Sequence, residues 1–302
     1  MAEERAYAKV NLTLDILRRR PDGYHDMRMV MQSISLCDTL SVEPKAGRDI
    51  QLDTNLSFLP CDRSNIVQKA AAAFFTETGI APAGYRVSLH KRIPVCAGTG
   101  GGSSDGAAML RYLRRTLAPE LPDGELLRIA ALVGSDVPFC LFGGTALAEG
   151  RGELLQPAAP LPKCAFLLCK PDFPISTPEL FAQVRAHRLR YHPDTVGMLQ
   201  ALAEGDLPGV CRRLYNVFED ILPRKYQKVW ELKRLLMDCG AMGASMTGSG
   251  PTVFGIYAGR MEAEEAAGEM GKICRFVAVA EPVSSEEIRR AAGERGDAQP
   301  AF

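Results

Sequence analysis

The sequence predicts an α+β protein with two domains, and three observations support this fold class. Segments that alternate apolar and polar residues, as strands do, occur together with segments whose apolar residues recur at helical spacing. The 302 residues are enough for one large or two medium domains. Pro157, Pro160 and Pro162 interrupt the chain in quick succession. We therefore expect an N-terminal domain over residues 1–158 and a C-terminal domain over residues 159–302.

The first elements are predicted to form a β-hairpin. Residues 8–17 alternate between apolar and polar side chains, which predicts a strand buried on one face. Proline and glycine in the turn 20–23 allow the chain to reverse into a second strand that runs through Leu36. Lys9 and Asn11 are two residues apart, so they point to the same side of the first strand. Its predicted apolar face consists of Val10, Leu12, Leu14 and Ile16.

Further elements follow from the same two periodicities and from helix start and stop signals. In the N-terminal domain we expect a helix over 64–78 capped by Ser64, a strand over 85–89, a helix from Ser104 or Asp105 to before Pro119, a helix over 122–133 and a strand over 145–148. In the C-terminal domain we expect strands over 165–169, 252–257 and 276–280, and helices near 178–188, 194–204, 224–238 and 262–270. The polar segment 286–302 is expected to fray after a helical start.

The composition is that of a globular protein without a global charge. Hydrophobic residues make up 46% of the chain and charged residues 24%, and 36 Lys and Arg balance 36 Asp and Glu. A neutral chain has no field that would hold nucleic acid or an anionic membrane. We therefore expect neither partner, and any site for an anion must be local.

Cysteine usage and the N-terminal residues predict a cytoplasmic protein. The nine cysteines form an odd, scattered set without a C-x-x-C pair, and most lie in apolar runs. This pattern suits free thiols in a reducing compartment better than disulfides or a zinc site. The first residues, MAEERAYAKV, lack an apolar signal core. A weak homodimer is compatible with the sequence, which does not require one.

A glycine-rich stretch lies where a predicted strand meets a predicted helix. Residues 96–105 read CAGTGGGSSD, and glycines at a helix N-terminus let an anion approach unpaired N–H groups and the positive end of the helix dipole. A plain turn is the alternative. Ser103 stands where a dinucleotide-binding G-x-G-x-x-G would need glycine, and no lysine follows the last glycine as in a Walker A loop. A dinucleotide-dependent oxidoreductase is thereby disfavoured.

Four ordered segments resemble the GHMP kinases, the superfamily of galactokinase, homoserine kinase, mevalonate kinase and phosphomevalonate kinase. The phosphate loop of that superfamily is similar to residues 94–104. Three more segments, at 8–12 with 20–25, at 134–138 and at 246–252, resemble the branch that acts on a cytidine diphosphate sugar-alcohol in non-mevalonate isoprenoid precursor biosynthesis. The chain departs from the family pattern at Thr99, Asp105 and Ser135, each a small or conservative change.

The resemblance implies both a fold and a reaction. The fold is a ribosomal-protein-S5-like N-terminal domain with a left-handed β-α-β unit, and a ferredoxin-like C-terminal domain across a cleft. The reaction is phosphorylation by ATP of the 2-hydroxyl of the sugar alcohol. Mg²⁺ would arrive with ATP, held mainly by its phosphates and by Ser103 or Ser104, because the histidines and carboxylates show no spacing for a metal held by protein alone.

The resemblance also assigns roles to individual residues. Asp136 would accept the proton of the substrate hydroxyl, and Lys9 would keep that carboxylate ionised and stabilise charge on the moving phosphoryl group. Interpreted without the resemblance, Asp136 is a helix cap or makes a turn contact, and Lys9 is a solvated strand lysine. The residues implied to bind ATP are Pro94, Val95, Cys96, Ala97, Gly98, Thr99, Gly100, Gly101, Gly102, Ser103 and Ser104.

Substrate recognition would involve a cytosine ring. Tyr24 and Phe181 match the positions that stack on the base, His25 would bind its edge, and Asn11 shares the face of Lys9. Phe181 matches only by local spacing, so a helix residue in the core is the alternative. The cluster Gly248, Ser249 and Gly250 resembles a third motif of the superfamily and would support the phosphate loop and border the acceptor site without contacting the reacting atoms. A structural turn before the strand 252–257 is the alternative.

Two rival functions remain at this point. Another small-molecule kinase of the superfamily, acting on homoserine or mevalonate, would have no reason to keep the Tyr24-His25 hairpin. A catalytically silent nucleotide-binding regulator is disfavoured because Lys9 and Asp136 are both intact.

Overall fold

Two β-sheets covered by helices form the computed structural model, which describes residues 2–184, 189 and 191–293. The predicted helical residues 185–188 and the predicted frayed residues 294–302 lie outside this part. Within the described ranges, no helix combines the length and apolarity needed to cross a lipid bilayer.

The first sheet contains seven strands around the predicted hairpin. The hydrogen-bonded order is β3-β4-β2-β1-β8, and β5 pairs with both β2 and β6. The parallel strands β3 and β4 are joined by the first helix, which makes the β-α-β unit implied by the resemblance. The strands are β1 (Ala2–Arg19), β2 (His25–Lys45), β3 (Ile50–Thr54), β4 (Gly84–His90), β5 (Thr145–Gly150), β6 (Leu154–Pro157) and β8 (Tyr215–Asn216).

Four helices belong to the N-terminal domain: α1 (Ile66–Thr78), α2 (Gly101–Leu117), α3 (Asp123–Val133) and α4 (Val137–Phe142). The predicted cap of α1 was wrong by one residue, because the side chain of Asn65, not of Ser64, accepts from the Val67 N–H at 2.9 Å. The predicted start of α2 was also wrong. Gly100 adopts a left-handed conformation and its carbonyl accepts from the Ser104 N–H, so the helix begins within the glycine run.

The second sheet has the ferredoxin-like arrangement implied by the resemblance. Its antiparallel order is β11-β7-β10-β9, with α9 and α10 packed on it. The elements are β7 (Ala165–Lys170), α9 (Lys228–Asp238), β9 (Gly243–Met246), β10 (Val253–Tyr257), α10 (Arg260–Met270) and β11 (Phe276–Ala280). Between β7 and α9 lie α5 (Thr177–Gln183), α6 (Thr195–Glu204), α7 (Leu207–Arg212) and α8 (Phe218–Ile221).

Later parts of the chain return to the first sheet. The short strand β8 pairs with β1, and the Val283 N–H donates to the Ser33 carbonyl at 2.9 Å. The last helix, α11 (Ser285–Ala291), contacts α4 and β1. The division at residues 158 and 159 stays a prediction.

The prediction that β1 is buried on one face only was wrong. Lys9, Asn11 and Thr13 are as buried as their apolar neighbours, because loops and strands of the second half of the chain cover the polar face. Irregular pairing between Asn11 and Thr13 also divides the predicted apolar face. Val10 and Leu12 pack toward the second sheet, whereas Leu14 and Ile16 join the larger core around α1 and α2.

The interface between the two sheets is an apolar core. Phe166 of β7 and Phe254 of β10 are fully buried there, with ring centroids 5.8 Å apart, against Val10 and Leu12 of β1. Burying this surface holds the two sheets together and so positions the loops that project from them.

We expect Phe254→Ala to lower the free energy of unfolding by about 3 to 5 kcal/mol, because it leaves a cavity between the sheets. Phe58 is 70% exposed and provides the matched control, since Phe58→Ala should change it by less than about 0.5 kcal/mol. Urea denaturation followed by far-UV circular dichroism measures both. Equal effects of the two substitutions would show that the sheets do not depend on this core.

Candidate active site

Residues 94–104, here called the phosphate loop after the superfamily segment that they resemble, are attached to both sheets. The Lys9 N–H of β1 donates to the Thr99 carbonyl at 3.0 Å, and the Thr252 N–H donates to the Ala97 carbonyl at 3.4 Å. A Cβ at Gly98 would lie 2.1 Å from the Thr247 carbonyl oxygen, and one at Gly100 would lie 2.9 Å from Lys9 Cγ. These two glycines therefore allow the loop to pack against its supports.

The start of α2 offers N–H groups to an anion. The Ser104 N–H makes the first helical bond, to Gly100, so the N–H groups of Gly101, Gly102 and Ser103 precede the helical ladder. Gly102 is exposed, and the nearest atom to a Cβ there would be 3.7 Å away. Ser103 borders the cleft, whereas the buried Ser104 donates its hydroxyl to the Gly101 carbonyl. Of the two serines, Ser103 is thus placed to meet a phosphate or its metal ion.

The predicted catalytic pair is brought together. Lys9 Nζ lies 3.3 Å from Asp136 Oδ2 and donates to Asn11 Oδ1 at 2.8 Å. The Lys9 side chain is 4% exposed and that of Asp136 is 29% exposed, so the ammonium group is covered while the carboxylate is open to the cleft. Lys9 is therefore not a solvated strand lysine.

Asp136 precedes α4, a helix that the sequence analysis did not predict. Its side chain makes no capping hydrogen bond to that helix. Asp136 thus stands at the N-cap position of α4, as one alternative interpretation expected, but its side chain does not act as the cap, and its catalytic role stays a prediction. The carboxylate is instead directed at Lys9 from the turn between α3 and α4.

Asn11 connects Lys9 to the second glycine cluster. It is fully buried, and its Oδ1 accepts from Lys9, from the Thr247 hydroxyl at 3.2 Å and from the Gly248 N–H at 2.9 Å. Its predicted role in substrate binding stays a prediction, since the structure shows contacts with protein groups. Gly248, Ser249 and Gly250 line the cleft, and their supporting role at the acceptor site stays a prediction.

Two hollows meet at the phosphate loop. A cleft of about 1110 Å³ is lined by Lys9, Asp136 and three of the predicted substrate residues, Tyr24, His25 and Phe181, and a hollow of about 390 Å³ lies beside the start of α1. Residues of the phosphate loop line both, namely Cys96, Gly98, Gly100 and Ser103. A molecule with its base in one hollow could therefore extend its phosphates past the loop into the other.

The predicted aromatic residues line the large cleft. Phe181 of α5 stacks on His25 with ring centroids 5.3 Å apart and meets Phe218 edge-on at 5.0 Å. Phe181 therefore borders the cleft and also packs against the core. Burial, followed by the charge of Arg19, lowers the pKa of the His25 imidazole, so the ring is neutral at neutral pH.

A buried ionic cluster that the sequence analysis missed lies under the loop. Lys91 donates to both Asp38 and Asp105, and Asp38 accepts from the Ile93 N–H at 2.8 Å. Burial, opposed by Lys91 and reinforced by Asp38, raises the pKa of the Asp105 carboxyl. The cluster links the residues after β4 to the first turn of α2. The sequence shows Asp105 directly after the two serines, but no local pattern connects it to Lys91 and Asp38, so the cluster was not predicted.

Both halves of the chain match models of the GHMP kinases. Residues 65–144 match the GHMP kinases N terminal domain, and residues 198–275 match the GHMP kinases C terminal. A 4-diphosphocytidyl-2-C-methyl-D-erythritol kinase from Lachnoclostridium phytofermentans is 40% identical over 262 residues, which cover 87% of this chain and 90% of the relative. The chain belongs to the 4-diphosphocytidyl-2-C-methyl-D-erythritol kinase family.

Solved structures agree with membership of the 4-diphosphocytidyl-2-C-methyl-D-erythritol kinase family. A crystal structure of 4-(cytidine 5'-diphospho)-2C-methyl-D-erythritol kinase is 33% identical, with a TM-score of 0.79 and coverage of 93% of this chain and 99% of that one. Mevalonate kinase from L. major, in complex with R-mevalonate, is 17% identical with a TM-score of 0.73 and coverage of 94% and 97%, which shows a shared fold alone. The predicted superfamily, the two-domain α+β fold and the prediction of a kinase are confirmed.

We expect Gly98→Ala to separate the phosphate loop from the Thr247 turn, because the added methyl group overlaps a carbonyl oxygen. Gly205 is the matched control, since its φ of +70° is close to the +77° of Gly98 but no atom lies within 4 Å of an added Cβ. Gly98→Ala should cost about 1 to 3 kcal/mol more unfolding free energy than Gly205→Ala and should weaken ATP binding. Urea denaturation and calorimetric titration with ATP measure these effects, and equal values for the two variants would contradict the assigned packing.

Proposed function

We propose that the chain catalyses transfer of the γ-phosphoryl group of ATP to the 2-hydroxyl of 4-diphosphocytidyl-2-C-methyl-D-erythritol, giving ADP and the 2-phosphate. The observation that carries this proposal is the Lys9 and Asp136 pair at 3.3 Å, beside the N–H groups that begin α2. Phosphoryl transfer needs positioning of the phosphates, charge stabilisation and a destination for the hydroxyl proton. Each of these has a candidate group at this point of the cleft.

The chemical step uses one acid-base group and one cation. The substrate hydroxyl donates to Asp136, whose carboxylate takes the proton as the oxygen bonds to the γ-phosphorus. The bond between the γ-phosphorus and the leaving oxygen of ADP breaks as the new bond forms. Lys9 stabilises the charge on the equatorial oxygens, and its contact with Asn11 fixes the ammonium group before the reaction starts.

The ATP phosphates would lie against the phosphate loop. The unpaired N–H groups of Gly101, Gly102 and Ser103 and the positive end of the α2 dipole favour an anion there. In the described part of the chain, no group of three or more His, Cys, Asp or Glu is arranged to hold a metal ion. We infer that a Mg²⁺ ion comes with the nucleotide and meets the Ser103 hydroxyl, where it would supply charge neutralisation for the phosphates.

The cytidine end would lie at the hairpin turn. Tyr24 is exposed and Phe181 borders the same cleft, so a cytosine ring can contact both aromatic side chains. A neutral His25 can donate and accept hydrogen bonds at the polar edge of the base. This arrangement favours a cytidine substrate over homoserine or mevalonate, and the formed Lys9 and Asp136 pair disfavours a silent regulator.

A cytoplasmic location is part of the proposal. All nine cysteines are free thiols, and most of them are buried or half-buried, as suits a reducing compartment. The predicted weak homodimer stays a prediction.

We expect Asp136→Asn to lower kcat by about 10² to 10⁴ fold, because an amide cannot take the hydroxyl proton. The Kd for ATP should stay unchanged, since the N–H groups proposed to bind the ATP phosphates belong to Gly101, Gly102 and Ser103 and the substitution does not alter them. Coupled measurement of ADP release and calorimetric ATP titration provide the two values. Asp172→Asn is the matched control, as that carboxylate is 68% exposed, pairs with Arg275 and does not line the cleft. If kcat of Asp136→Asn equalled that of the control, Asp136 would not be the group that accepts the hydroxyl proton.

We expect Phe181→Ala to raise KM for the cytidine substrate about tenfold and to leave KM for ATP unchanged, because one stacking surface is lost. Phe173→Ala is the control, since Phe173 packs on Tyr226 in the same domain without lining the cleft. If Phe181→Ala lowered only the melting temperature, as the control is expected to do, Phe181 would be a core residue and not a stacking residue.

A further inference from the structure

Arg151 is a cation of the large cleft to which the reaction proposed above assigns no role. It lies in the turn between β5 and β6, and its guanidinium carbon is 4.9 Å from the centroid of the Tyr24 ring. This distance is within the range of a cation-π contact. The guanidinium group covers one face of Tyr24, so the other face remains for the base.

The same turn reaches the opposite end of the cleft. A Cβ at Gly152 would lie 3.5 Å from the Ser135 carbonyl oxygen and 3.8 Å from Asp136 Oδ1. Residues 151 and 152 therefore extend from the predicted base-stacking ring to the predicted proton acceptor. In the proposed substrate the diphosphate joins cytidine to carbon 4, and the reacting hydroxyl is on carbon 2. The diphosphate must then lie between Tyr24 and Asp136, beside this turn.

The guanidinium group has unused hydrogen-bonding capacity. Among the residues that the structure describes, it donates no hydrogen bond, and its ion pair with Glu153 is long, at 3.8 Å. Glu153 is held by the backbone N–H of Arg151 at 2.6 Å. Asp22 also attracts Arg151 electrostatically, but the Asp22 carboxylate forms its ion pair with Arg20, at 3.0 Å. Neither carboxylate occupies the fork of Arg151 donors.

The other cations of the cleft are less suited to this position. Lys9 is buried and engaged with Asn11 and Asp136. Arg19 is exposed at the end of β1 and pairs in register with His25, the predicted base-edge residue at the start of β2. Arg151 has a half-buried side chain, and a planar guanidinium group matches two phosphate oxygens at once.

We propose that Arg151 binds the diphosphate of the acceptor substrate and makes the site selective for a cytidine diphosphate over an uncharged cytidine. The inference rests on the proposed function and deepens it. Arg151 acts on substrate affinity and not on the transfer step, because it lies beside a part of the substrate that does not react.

The test compares Arg151→Met with the unchanged protein for two ligands, CDP and cytidine, by calorimetric titration. We expect the Kd for CDP to rise about tenfold in the variant and the Kd for cytidine to change less than about twofold, because only CDP carries the diphosphate. The Kd for CDP of the unchanged protein should also rise more steeply with NaCl than that of the variant, since salt screens the ion pair.

Arg28→Met is the matched control. Arg28 pairs with Glu149 on the neighbouring strand and does not line the cleft, so both Kd values should stay unchanged. A variant Kd for CDP equal to that of the unchanged protein would overturn the inference. An equal loss of affinity for cytidine and for CDP in Arg151→Met would also overturn the inference, since Arg151 would then act only through Tyr24. Failure of the unchanged protein to bind CDP and to phosphorylate the cytidine substrate would instead reject the proposed function.

Discussion

A buried lysine ammonium group needs partners, and this requirement organises the site. Lys9 Nζ is almost inaccessible to water and is compensated by Asn11 and Asp136. An unpaired charge at this depth would cost far more than the pair does. Asp136 belongs to the turn between α3 and α4, and Asn11 of β1 accepts a hydrogen bond from the turn at Thr247. The partners of this one cation therefore connect three segments: β1, the turn between α3 and α4, and the Thr247 turn.

The glycines of the phosphate loop have two effects. They let the loop pack against its supports, and they leave its N–H groups accessible to a ligand. Gly98 and Gly100 lie where a Cβ would collide with Thr247 and Lys9, whereas Gly102 is exposed and a Cβ there would make only an ordinary contact with Ile66 at 3.7 Å. The loop is thus pressed onto its supports on one side and open on the other. Such a frame fixes N–H groups in advance, which lets them stabilise phosphate charge without rearrangement.

The sequence analysis found most long elements and missed those that depend on partners. The hairpin and the helices with an apolar stripe were predicted because local periodicity specifies them. The two-residue strand β8 and the six-residue helix α4 are too short to show a period. The burial of Lys9 and Thr13 was not foreseen, because the polar face of β1 is covered by segments more than a hundred residues away.

Sequence by itself determined the class of this protein and the identity of its principal polar groups. The glycine run, Lys9, Asp136 and the Tyr24-His25 turn are contiguous motifs, and each keeps its chemistry wherever the chain places it. Only the tertiary structure decided which of these groups meet. In the folded chain Lys9 lies beside Asp136, and Lys91 pairs with Asp38 and Asp105. The guanidinium group of Arg151 lies over the Tyr24 ring. The reason is physical: distances between residues remote in sequence depend on how buried surfaces pack, and no local pattern records that packing.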